Sequence, residues 1–140
     1  MSTQNTKMSA EKTINYLTGN PRMMLLIDAI GAFVTAFMLG IVLTNYADFF
    51  GMPKNVLQPL AIAALCFALY SFIGYLFTNT YKPYIRVIAF ANLCYCLAST
   101  IITAKYYQSL SISGIMYFIG EIAIILSMVY IELRVANSIK

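Results

Sequence analysis

Residues Gly114–Leu133 read GIMYFIGEIAIILSMVYIEL. A helix rises 1.5 Å per residue, so a run of this length covers about 30 Å, the thickness of a bilayer's hydrocarbon core. Near its middle stands a carboxylate, Glu121. A bare charge at that depth costs on the order of 3 kcal/mol or more. The rest of the chain must therefore supply Glu121 with hydrogen bonds, a counter-charge or water.

Composition places the chain in the membrane class. Its 140 residues are 61% hydrophobic and only 10% charged. A soluble domain of this size cannot hide that much apolar surface. Three more hydrophobic runs complete the pattern, and helices are expected at about 23–44, 57–78, 83–104 and 114–133. The fold expected is all-α and integral to the membrane, with four antiparallel transmembrane helices in one domain over residues 21–136. Residues 1–20 are polar and form either a short interfacial helix or a tail, and 137–140 form a second tail. The first twenty residues have no apolar core of a cleavable signal, so the first membrane helix is expected to direct insertion.

Local signals mark the joints. Pro21 and Pro83 suit first turns of helices. Gly51 and Pro53 mark a turn, and Asn55 with Gln58 resembles a capping box. The short link 79–82 makes helices two and three antiparallel neighbours. Ala32, Ala36 and Gly40 on the first helix, and Ala61, Ala64, Ala68 and Ser71 on the second, form small-residue tracks that permit close packing in lipid. Tracks left facing outward would support a homo-oligomer.

Orientation follows from Lys and Arg. Seven of the nine (Lys7, Lys12, Arg22, Lys82, Arg86, Arg134 and Lys140) fall on one side, and Lys54 and Lys105 on the other. Both termini are therefore expected in the cytoplasm of a multi-pass protein of the cell membrane, of bacterial inner-membrane type. The net charge of +4 forms no basic face, so no nucleic-acid partner is expected.

Counting residues from the helix ends assembles two polar layers. The midplane layer is expected to hold Glu121, Thr35, Asn92, Tyr95, Cys96 and Tyr70, with no base among them. Glu121 is expected to be neutral or held as an anion by several hydrogen bonds. Nearer the cytoplasm, Asp28 and Arg86 are the expected ion pair, with Glu132, Arg134 and Tyr75 completing a network. On helix three, Asn92, Tyr95, Cys96, Ser99 and Thr103 recur every three to four residues and make a polar stripe. The stripe serves either as a cavity wall or as a source of interhelical hydrogen bonds.

Much chemistry is excluded. There is no histidine, which removes His-ligated haem and most zinc sites. Cys94 and Cys96 project from a helix about 200° apart and cannot share a metal or pair. No phosphate loop, nucleophile elbow or dinucleotide fingerprint occurs. No metal or other cofactor is expected, and the balance is against an enzyme. No residue pattern assigns the chain to a family.

Three functions fit. The leading one is a transporter or channel for a small solute or ion, with Glu121 as its titrating group. The second is a non-catalytic membrane scaffold or accessory subunit, for which Glu121 only ties helices together. The third is a lipid-binding protein using Arg86 near the inner leaflet.

Overall fold

The computed structural model describes residues 2–140, and the described residues are almost all helical, with no strand. Helix α1 spans Ser2–Gly19, α2 Pro21–Phe37, α3 Ala47–Phe50, α4 Lys54–Phe77, α5 Tyr81–Lys105 and α6 Ile112–Ser138. Helix α2 continues through a wide π-turn at Met38–Leu43. Four segments are long and apolar enough to cross a bilayer: Pro21–Leu43, Lys54–Phe77, Tyr81–Lys105 and Ile112–Ser138, of 23, 24, 25 and 27 residues. The chain is an all-α protein of the multi-pass membrane kind.

The four long helices pack as two tight antiparallel pairs, α2 with α4 and α5 with α6, and the pairs meet less closely. Small residues explain the first pair. A Cβ added to Gly40 would sit 3.3 Å from the Ala61 Cβ, so the two backbones are nearly as close as side chains permit. Large apolar side chains such as Ile30, Phe33, Ile62, Phe90 and Ile119 point outward, as a lipid-facing surface requires.

Each end of the bundle has an apolar plug. At the end holding the start of α2 and the close of α6, Leu17, Met24, Leu25, Ile85, Ile88 and Val135 pack together. At the loop end, Leu39, Leu43, Met52, Leu57, Leu110 and Phe118 do the same. Gly51 shapes that second plug. Among the described residues it alone has a positive φ, of 76°, and a Cβ there would strike the Ser109 carbonyl. Its neighbour Phe50 accepts a 3.1 Å hydrogen bond from Ser111 N, which ties the two outer loops together.

Several local expectations are corrected. Helix α4 begins at Lys54 behind Pro53 with no side-chain cap, so the Asn55 and Gln58 pair does not act as a capping box. Proline's fixed φ positions that helix start instead. Helix α6 runs to Ser138, beyond the expected end at 133, because Val135 and Ala136 are wholly buried in the plug. Residues Ser2–Gly19 form a helix anchored by buried Leu17, and an open cleft of about 480 Å³ separates its Ala10, Thr13 and Ile14 from Leu126 and Tyr130 of α6.

Candidate functional site

Among the described residues, six buried polar or charged ones lie between the plugs: Asp28, Ser71, Asn92, Ser99, Glu121 and Glu132. They sort into two clusters. In the first, Asp28 of α2 accepts through both oxygens, from Ser71 Oγ of α4 at 2.5 Å and from Asn92 Nδ2 of α5 at 2.8 Å. Glu132 of α6 faces Asp28 and Asn92, but neither of its oxygens closes a hydrogen bond of good geometry. Each long helix thus contributes one polar side chain.

In the second cluster, nearer the loop end, Tyr95 donates to Glu121 Oε1 at 3.2 Å. Glu121 Oε2 and the Ser99 hydroxyl are buried without partners. Tyr117 and the buried thiol of Cys96 lie close to Glu121. Thr103, at the far end of the stripe, turns its hydroxyl back to the Ser99 carbonyl at 2.7 Å and satisfies itself within its own helix.

A cavity of about 60 Å³ connects the clusters. Asp28 and Asn92 line it toward one end and Tyr95 toward the other, with Thr35, Ala64 and Met128 among its walls. Helix α6 has 27 residues, so its middle is Ile125, which also lines the cavity. Glu121 is then about 6 Å to one side of that level and Glu132 about 10 Å to the other. Between α2 and α6 the wall is thin, since a Cβ on Gly31 would meet only the end of Met128, at 4.0 Å.

Comparison of the observed partners with the expected layers changes several assignments. Glu121 and Tyr95 do meet, with Cys96 beside them, and Thr35 reaches the cavity. Asn92 leaves the Glu121 layer and bonds to Asp28. Tyr70 is not brought to Glu121 either: its ring stacks on Tyr84, with centroids 5.2 Å apart.

The expected Asp28–Arg86 ion pair does not form. Arg86 is exposed and donates to Asn137 Oδ1 at 3.2 Å. Arg134 donates to the Tyr130 hydroxyl at 3.1 Å. Tyr75 carries the Arg22 guanidinium over its ring, 4.4 Å from the centroid, and its carbonyl accepts from Arg22 Nε at 2.8 Å. The physical reason is solvation. Long basic side chains reach headgroups and water at little cost, whereas following Asp28 inward would strip them of both. Glu132, expected in that network, does lie against Asp28, but buried inside the bundle and without the arginine.

No family model, curated protein or solved structure matches this chain. The chemistry of the site must therefore be read from its own geometry. Its polar groups are carboxyl, hydroxyl, amide and thiol, set among apolar walls, and no basic side chain enters among the described residues. Such an interior suits a proton, a small cation or water.

Proposed function

We propose that the chain is a small membrane transporter or channel for protons or a small inorganic cation, with Glu121 as a titrating group on the path. The single observation that carries this is the mid-membrane cavity, flanked along the bundle by two buried carboxyl groups that keep unpartnered oxygens. Size narrows the solute. Sites for drug-sized ligands occupy about 300–1,000 Å³. A space of about 60 Å³ is far smaller and suits a small ion with a few waters.

Polar groups for the path recur along α5 at Asn92, Tyr95 and Ser99, a turn apart. The apolar plugs at both ends correspond to an occluded state of such a carrier. The excess of Lys and Arg at the termini end orients that end to the cytoplasm.

The test is flux in proteoliposomes. A pH-sensitive dye inside the vesicles reads proton movement after an imposed gradient, with Glu121→Gln as the paired variant. Wild-type flux that depends on pH and is lost in a folded Glu121→Gln protein is the expected result. Equal flux from both proteins removes the basis of the reading.

A second reading is favoured by one specific observation. The bonds of Asp28 to Ser71 and Asn92 tie three helices together. A scaffold or accessory subunit needs nothing more. Vesicles without flux above background for any small cation, together with a strongly destabilised Asp28 variant, would select it.

A further inference from the structure

We propose that Asp28, Ser71, Asn92 and Glu132 form a binding site for one sodium-class monovalent cation, which exchanges with a proton on Glu132. The inference deepens the transport reading and rests on it for the route by which ions reach the site. Its evidence is geometric. Four helices each direct one oxygen-bearing side chain to the same place, and all four are buried. Asp28 already accepts two hydrogen bonds, the arrangement of an ionised carboxylate.

Those bonds leave oxygen lone pairs free on Ser71 and on the Asn92 amide carbonyl. Glu132, wholly buried, faces Asp28 and Asn92, and neither of its oxygens closes a hydrogen bond of good geometry. Such a group in a native interior is satisfied by a shared proton or a bound ion. Oxygen ligands of this kind suit hard cations rather than soft metals.

Charge selects the valence. Two carboxyl groups face each other here, and the groups packed around them bring no positive charge. From α4 comes Ser71 and from α5 Asn92. Arg22, Lys82, Arg86 and Arg134 are engaged with the Tyr75 carbonyl, the Ile139 carbonyl, Asn137 and Tyr130. Two uncompensated anions in an apolar interior are unstable, so the pair must hold at least one positive charge. When sodium enters, the O–H bond of Glu132 breaks, the proton leaves to solution, and the carboxylate binds the cation. One positive charge replaces another, so the site's total charge is unchanged. A divalent ion would raise it, leaving an uncompensated positive charge in an apolar interior.

The experiment measures binding apart from flux. The full chain in detergent or nanodiscs is titrated with sodium chloride against choline chloride at equal ionic strength. Thermal unfolding and proton release into weak buffer are followed together. A sodium-dependent rise in Tm of about 4 °C or more at saturation is expected. Release of about one proton per protein should accompany it, as one-for-one exchange requires.

Glu132→Gln should abolish both signals while unfolding cooperatively in choline. Ser71→Ala, which keeps both acids, should weaken apparent sodium affinity about tenfold, and Asp48→Asn, on the exposed face of the short helix α3, should change neither signal. Stabilisation by calcium or magnesium but not by sodium overturns the proposal. So does a sodium response that survives in Glu132→Gln. If Glu132→Gln does not fold, the Ser71→Ala titration decides, and an unchanged affinity overturns the site. Sodium binding without flux supports the site and defeats the transport reading. Flux without sodium binding does the reverse.

Discussion

Tyr95 on α5 donates its phenolic hydrogen to Glu121 Oε1 on α6 at 3.2 Å, and this is the sole hydrogen bond the carboxyl group has among the described residues. The pair joins the two helices of one tight hairpin while leaving Glu121 Oε2 unpartnered. Tyr95→Phe would keep the ring, its edge contact with Phe67 and the packing, and remove the hydroxyl's contacts with Glu121 and Ser99. The expected loss is about 1 kcal/mol, the usual size of a side-chain bond between membrane helices. Chemical unfolding in mixed micelles measures it, and proteoliposome flux should fall in the same variant. Unchanged stability would mean that the phenol and carboxylate contribute no net energy to the hairpin.

Asp28 is a different case, because three helices meet on it. Asp28→Ala would strand the Ser71 hydroxyl and the Asn92 amide in a buried layer. The expected cost is about 2–4 kcal/mol. Ser71→Ala should cost about 1 kcal/mol, since only one bond is lost. The ordering of the two variants in the same unfolding assay is the check, and equal losses would show that Asp28 is not the hub.

Gly31 supplies a test that leaves every polar group in place. A Cβ there meets only the Met128 methyl, and Gly31 lines the cavity, so Gly31→Leu places a bulky apolar group at its wall. Stability should change by less than about 1 kcal/mol, helped by replacing a helical glycine. Ion flux should be lost, because the four added carbons are comparable in volume with the cavity. Full flux in a well-folded Gly31→Leu protein would show that ions do not pass by this wall.

At the loop end, Gly51→Ala combines an unfavourable left-handed backbone with a clash against the Ser109 carbonyl. A loss of about 2–3 kcal/mol is expected, read as a drop in Tm. Protease cutting within residues 45–53 should increase in parallel as the Phe50–Ser111 bond opens.

The all-α membrane class and the four long helices were legible because length and apolarity alone report them. The pairing of Glu121 with Tyr95 was legible too, since both sit well inside their helices and few other polar groups were available. Depth was harder. Counting from helix ends separated Asp28 from Asn92 by about a turn, yet the two are bonded. A count measures position along one helix and not the offset between two, which side-chain packing fixes. Arg86 misled for a related reason: sequence gives its level but not the direction in which a flexible chain finds water. Ser71 looked like one more small residue in the α4 track, and its only sign of a different part was being the single hydroxyl there. No pattern in residues 38–43 announced the π-turn.

That π-turn has a consequence for how α2 tolerates change. Over Met38–Leu43 the helix carries one residue more than a regular turn holds, and Thr44 Oγ1 bonds back five residues to the Leu39 carbonyl at 2.8 Å. The surplus residue falls between the stretch that presents Asp28 and the loop-end segment that begins at Thr44. Removing one residue here, such as Ile41, would restore ordinary winding and leave both flanking faces aimed as they are. A deletion anywhere else in α2 would turn the following half by about 100° and drag apolar surface off the core. In indel terms, this helix has one splice point, and it falls between the polar interior and the loop-end plug.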